Sequence, residues 1–196
     1  RPLLLPGQVL ARWRRRGVIE ARPSWIVVTD FMAHRFWPEP GQSGYFPARE
    51  ETPFTMKKRG REGERLIVSG IPIMPEFSQS LDKSEGAKAF GLDHARPIVV
   101  LMGGGEGVGL IKDIADELLQ LEEDFQLLVL AGKNQKLLSD LRQTALEKPG
   151  RLFPPGFTQE MHKTLSSANL VMTKPGGLTN SECLSRIHIR RCPRTT

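Results

Sequence analysis

Cysteine is scarce in this chain of 196 residues: Cys183 and Cys192 are the only two. So few thiols cannot form a disulfide framework, and they fit a reducing compartment. Long apolar runs are missing too. The longest stretches, 97–102 and 125–131, have the length of strands and fall well short of the roughly 18 apolar residues of a membrane span. The four histidines (His34, His94, His162, His188) show no metal-ligand spacing, and there is no Cys-x-x-Cys. No Asp-x-Asp occurs to hold a divalent ion on a diphosphate, and no G-x-S-x-G marks a serine hydrolase. The first residue is Arg1 and no signal-peptide pattern follows it, so the natural N-terminus is expected ahead of this residue.

What is present reads as a soluble globular protein, with 39% hydrophobic and 26% charged residues. A net charge of +6 suits an anionic partner: nucleic acid, acidic lipid headgroups or a phosphorylated ligand. Part of that charge is concentrated in Arg12, Trp13, Arg14, Arg15 and Arg16. One reading is a solvated helix end. The other is an aromatic-anchored patch on an anionic bilayer, where each nearby Lys or Arg adds about 1 kcal/mol. The basic residues gather near the start and the tail with no base-reading motif, which argues against nucleic acid as the partner.

Along the chain, strand-like and helix-like segments alternate. Residues 25–29 (WIVVT) form a β-branched run of the kind buried in a parallel sheet. Short strands follow at 45–46 and 66–69, with a helix predicted over 53–59. The proline-studded segment 70–75 can continue no regular element and reads as a domain boundary. Beyond it the pattern predicts strands at 98–102, 125–131, 152–153 and 170–173, and helices at 110–121, 134–146 and 159–167. That rhythm implies parallel strands joined by right-handed crossovers, an α/β architecture. The basic stretch 185–196 has no apolar face and reads as non-native sequence, so His188 and Cys192 carry no function.

Two glycine-rich segments each follow a strand and open a helix. The first, 103–109 (GGGEGVG), could let backbone N–H groups approach a phosphate. It is not a dinucleotide fingerprint, because the third glycine of G-x-G-x-x-G falls on Val108 or Leu110. The next strand also ends in Ala131-Gly132-Lys133 rather than in a ribose-binding acid. Nor is it a P-loop, since no Gly-Lys-Ser/Thr closes it. The second, 173–182 (TKPGGLTNSE), places Thr179 and Glu182 at capping-box spacing. Both loops would lie at the carboxyl edge of one sheet, where open α/β sheets hold ligands.

Four segments in order carry a resemblance to a known family. They are Val28-Thr29-Asp30-Phe31-x-x-His34-x-x-Trp37, Gly70-Ile71-Pro72-Ile73-x-Pro75-x-Phe77, Met102-Gly103-Gly104-Gly105-x-Gly107 and Thr173-Lys174-Pro175-Gly176-Gly177-Leu178-Thr179-x-Ser181-Glu182. Together they resemble glycosyltransferase family 28, in the branch of monogalactosyldiacylglycerol synthase and the processive diacylglycerol glucosyltransferases. The resemblance covers roughly residues 5–184.

The resemblance implies a GT-B enzyme: two Rossmann-like domains with parallel sheets, both incomplete here. Residues 1–77 would be the end of the acceptor-binding domain plus linker, and 78–184 the first half of the nucleotide-sugar domain. The family's early glycine-rich loop with its histidine would precede Arg1, and its sugar-binding Gln-Glu segment would follow Leu184. Carried over by position, Gly103, Gly104 and Gly105 would approach the donor diphosphate, and Gly156-Phe157 would meet the uracil. Lys174, Gly176 and Gly177 would frame the phosphates, and Glu182 would take the ribose hydroxyls. Asp30 and His34 would face the acceptor.

The implied reaction is inverting hexosyl transfer from a UDP-sugar to a diacylglycerol-type lipid. It needs no metal and no cofactor, the UDP-sugar being a co-substrate. The implied location is peripheral, on the cytoplasmic face of a bacterial membrane or on a plastid membrane. The alternatives are transfer of N-acetylglucosamine to a peptidoglycan lipid intermediate, and a non-catalytic nucleotide-sugar-binding protein.

Overall fold

A computed structural model describes residues 5–20, 22–32, 41–58, 65–103 and 110–185. The chain divides into two compact units, Arg1–Ile73 with Gly176–Ser181, and Met74–Pro175 with Glu182–Thr196. The division at Ile73 falls within the proline-studded segment, slightly ahead of the boundary expected after residue 77. The expected tail lies outside the described residues, except for Ser185.

The first unit is built from α1 (Leu5–Arg15), β1 (Trp25–Val27), β2 (Gly44–Phe46), α2 (Glu51–Lys57) and β3 (Arg65–Leu66). Its strands pair in parallel in the order β1-β2-β3, with Ile26 opposite Tyr45 and Tyr45 opposite Leu66. Val28, Tyr45 and Met56 form its core, with Ile26 and Leu66 packed against them. Glycine is required at two close approaches. A Cβ on Gly7 would stand 2.9 Å from Ile26 Cδ1, and one on Gly44 would stand 2.3 Å from the Trp25 ring and 2.6 Å from the Arg65 carbonyl. The Trp25 ring can therefore lie across β2 and stack on Phe46, with centroids 5.0 Å apart.

β1 differs from its sequence reading. It spans three residues, and Trp25 and Val27 are exposed rather than buried. Trp25 and Val27 alternate with Ile26 and point to one face of the sheet, which has no full covering layer among the described residues.

In the second unit the strand readings hold closely. Its elements are α3 (Lys83–Lys88), β4 (Ile98–Met102), α4 (Ile111–Gln120), β5 (Gln126–Leu130), α5 (Gln135–Glu147), β6 (Leu152–Phe153), α6 (Met161–Ser167) and β7 (Leu170–Thr173). A short 3-10 helix, Pro75–Ser78, precedes them; α7 (Gly177–Leu184) comes next in sequence, with its residues up to Ser181 grouped in the first unit. The sheet is fully parallel in the order β6-β5-β4-β7. Both faces are covered, which is why β4 and β5 read as continuous apolar runs. Leu101, Leu127 and Val129 pack on one side with Ile111, Ala115, Leu119, Leu137, Leu138 and Leu141 from α4 and α5. Ile98, Val100 and Leu128 pack on the other with Ala87 and Leu92.

Side chains set the helix starts. Asn134 caps α5 by accepting from Leu137 N at 3.0 Å, and Asp82 caps α3 by accepting from Ser84 N at 2.7 Å. α3 lies against α6 so closely that a Cβ on Gly86 would stand 2.5 Å from the Lys163 carbonyl.

One buried polar side chain ties the loop before β4 to the sheet. Gln126, 1% exposed, accepts from Asp93 N at 2.8 Å and donates to the Asp93 carbonyl at 2.7 Å. Gln126→Leu keeps the volume but leaves both Asp93 backbone groups without these partners. It should cost about 1–3 kcal/mol in chemical denaturation, for two hydrogen bonds of about 0.5–1.5 kcal/mol each.

Candidate functional site

The strand order of the second unit marks where a ligand can sit. Successive strands β4, β5 and β6 run outward in one direction, and the chain then returns to place β7 on the other side of β4. The winding reverses between β4 and β7. In open α/β sheets the crevice outside the carboxyl ends of two such strands is the ligand site. Met102 pairs with Thr173, so Gly103 and Lys174 leave adjacent strands side by side, their chains about 5 Å apart. Gly103 is buried and Lys174 is exposed.

The other two strands end on the same edge, because all four are parallel. After β5 come Ala131, Gly132 and Lys133; after β6 come Pro154, Pro155, Gly156 and Phe157. Gly156 lies over α5, where an added Cβ would meet Leu138 Cδ2 at 3.2 Å. Phe157 is 56% exposed, and Lys133 Nζ stands 5.8 Å from its ring centroid. Thus Gly103, Gly156, Phe157 and Lys174 share one edge of one sheet. Gly104 and Gly105 lie outside the described residues.

The other candidates fall in different places. Gly176 and Gly177 group with the first unit and are not equivalent there. The nearest atom to a Cβ on Gly176 is Thr179 Oγ1 at 3.9 Å, whereas one on Gly177 would stand 2.0 Å from the Thr29 carbonyl oxygen. Asp30, exposed, follows Thr29 just past the end of β1. The segment after it is pinned by Thr52 at the start of α2, whose hydroxyl donates to the Phe31 carbonyl at 3.2 Å. His34 lies outside the described residues.

The capping box expected of Thr179 and Glu182 is not formed. The helix starts earlier, at Gly177, and Asn180 N already donates to the Gly176 carbonyl at 2.9 Å. Thr179 is therefore inside the first turn, and Glu182, a turn further on, is beyond reach of the cap position. Among the described residues no hydrogen bond or ion pair is made by the Glu182 carboxylate, which is half-buried. Burial pushes its carboxyl above the usual range, with no cation to offset it. The neighbouring Cys183 thiol is pushed up to about 11 by burial and by the Glu182 charge, so it stays protonated and is a poor nucleophile.

The arginine cluster also divides. Arg14 donates to Ser24 Oγ at 2.7 Å, to the Gly41 carbonyl at 3.1 Å and to the Arg22 carbonyl. It clamps the loops beside β1 and β2 and leaves the basic patch. Arg12, Arg15 and Arg16 remain exposed, beside an exposed Trp13 and Leu10.

Comparison with known proteins shows what this chain is similar to. Residues 4–73 match the family model of monogalactosyldiacylglycerol (MGDG) synthase. A processive diacylglycerol beta-glucosyltransferase of Staphylococcus epidermidis is 30% identical over 165 residues, covering 84% of this chain and 42% of the relative. The chain is thus similar to monogalactosyldiacylglycerol synthase over residues 4–73 and to the processive diacylglycerol beta-glucosyltransferases over most of its length.

Processive diacylglycerol beta-glucosyltransferases of Bacillus pumilus and Bacillus subtilis are 32% identical over 164 residues and 26% over 178. They cover 82% and 90% of this chain, and 42% and 46% of those relatives, so the chain spans less than half their length. The match to the synthase model ends at residue 73, where the first unit ends.

Glu182 provides a test of the site's electrostatics. Its carboxyl is raised above its unfolded value of about 4.5 by burial, so the folded state favours the protonated form. The stability it contributes is full below that unfolded value and is lost as pH rises through the folded one. Glu182→Gln should therefore melt close to wild type at pH 4 and above it at pH 7. The same melting difference at both pH values would show that the carboxylate is not buried in solution.

Proposed function

We propose that this chain contributes the nucleotide-binding edge and part of the acceptor side of a glycosyltransferase that moves a hexose from a UDP-sugar to a diacylglycerol-type lipid. The observation that carries the reading is the reversal of winding between β4 and β7, with Gly103 and Lys174 leaving register-paired strands. In this reading the diphosphate lies against the backbone after Gly103, with Lys174 supplying positive charge. The uracil lies along Gly156-Phe157. Glu182 accepts from the ribose hydroxyls, a role that fits a half-buried carboxylate without a partner among the described residues. The names of the relatives, diacylglycerol glucosyltransferases, support the lipid acceptor.

The reaction is one displacement at the anomeric carbon. The acceptor hydroxyl loses its proton to a base as its oxygen bonds to that carbon, and the bond to the diphosphate breaks. The electron pair leaves on the nucleotide, where backbone dipoles and Lys174 stabilise it. Asp30, with His34 outside the described residues, is assigned to the acceptor side. Metal independence belongs to this proposal and is supported by the lack of Asp-x-Asp. Addition of magnesium ions should leave UDP affinity unchanged.

Residue-resolved NMR titration with UDP tests the donor site. Amide shifts should cluster at Gly103, Gly156, Phe157 and Lys174, and Glu182→Gln should weaken binding by about 1.5–3 kcal/mol, the range for hydrogen bonds to charged groups. Shifts confined to other surfaces would sink the reading.

Attachment to a membrane is proposed as peripheral. No helix among the described residues is long and apolar enough to cross one. The exposed arginines of α1 around Trp13 fit an anionic surface. Arg12→Glu with Arg16→Glu should abolish co-sedimentation with phosphatidylglycerol vesicles at low salt and leave the melting temperature near wild type.

A further inference from the structure

At the position where a dinucleotide-binding fold carries a ribose-binding acid, the end of the second strand, this chain carries a lysine. Gly132 turns the backbone there with φ +59°, a left-handed conformation that costs a residue with a side chain free energy. Lys133 follows, exposed, at the carboxyl edge of the sheet. Two lysines in the helices that follow strands of this sheet are occupied: Lys112 holds Asp116 at 2.5 Å, and Lys163 holds Glu160. Lys133 has no carboxylate partner among the described residues, and its recorded contact is the face of Phe157. An exposed cation–π contact of this kind contributes only about 0.5–1 kcal/mol, enough to bias the lysine towards the ring without committing it.

Strand order supplies the second observation. β4 lies between β5 and β7, so Lys133 and Lys174 follow the strands on either side of the one that ends in buried Gly103. Two strand spacings separate their chain paths, about 10 Å. A ligand with two linked anionic groups can span that gap and meet both flexible side chains, whereas a single phosphate needs only one. Glu160, the described acidic residue that precedes α6 after β6, is already paired with Lys163.

We propose that Lys133 is a donor-binding residue: its ammonium, held ready on the Phe157 ring, brackets the diphosphate of a nucleoside diphosphate from the β5 side while Lys174 brackets it from the β7 side. This rests on the reading of that edge as the donor site and adds to it a residue that discriminates by the number of phosphates.

The test is calorimetric and NMR titration of the chain with UDP and with uridine. Lys133→Gln should weaken UDP binding about tenfold, the scale of one charge-assisted contact. It should leave uridine affinity and the melting temperature unchanged, because Lys133 is exposed. Lys133→Arg should restore most of the UDP affinity. Equal UDP affinity for wild type and Lys133→Gln overturns the assignment while leaving the donor site standing. Equal losses for UDP and uridine also overturn it, by placing the lysine at the base instead of the phosphates. Wild-type chain that binds no UDP at millimolar concentration overturns the donor-site reading itself, and Lys133 with it.

Discussion

The placement of β4 between β5 and β7 is the constraint on which the second unit depends. A strand paired in parallel on both sides and covered on both faces must be apolar throughout, and Ile98–Met102 is. The same pairing forces the chain to cross over the sheet between strands, and it brings every loop that follows a strand to one edge. The start of β4 is fastened as well: Ile98 N donates to Asn169 Oδ1 at 2.9 Å, and Asn169 N donates to the Ile98 carbonyl at 2.8 Å. That double contact sets β7 in register beside β4, and the register puts Lys174 next to Gly103.

Charge at that edge is left available by what happens elsewhere. Arg96 and Asp124 pair at the opposite end of the strands, with Arg96 raised and Asp124 lowered by their mutual hydrogen bond. Arg151 donates to the Leu121 and Glu123 carbonyls there, and its guanidinium stands 5.1 Å from the Phe125 ring. The amino ends of the strands are therefore held by arginines tied to local acceptors. The carboxyl ends carry lysines without carboxylate partners among the described residues. A protein that binds a phosphorylated ligand needs that division, because a cation already paired internally contributes little to the ligand.

In the first unit close approach replaces hydrophobic mass. Its strands are two or three residues long, and its core has three fully buried side chains. Glycines at positions 7 and 44 let a helix and a tryptophan ring come within contact of the strands, and Arg14 fastens three segments through one guanidinium. Such a unit is held by geometry at a few points, and the segment bearing Asp30 is positioned by the Thr52 hydroxyl.

Periodicity and composition were enough to determine the α/β class and the four strands of the second unit. Burial on both faces leaves an unmistakable apolar run. α3 was not recognised, although Asp82 and Glu85 have capping-box spacing, because its six residues are too few to show a helical period. The resemblance to the family was legible in four ordered motifs.

Sequence could not separate Gly176 from Gly177, Arg14 from its neighbours, or a capping Glu182 from an unpaired one. It also used Lys133 only to exclude a dinucleotide site. Each of these depends on what a distant part of the chain places within a few ångströms: the Thr29 carbonyl, the Gly41 loop, the true start of α7, the Phe157 ring. Sequence spacing encodes the period of a helix or strand, but contacts across strands depend on sheet order, and only the tertiary structure decided that order.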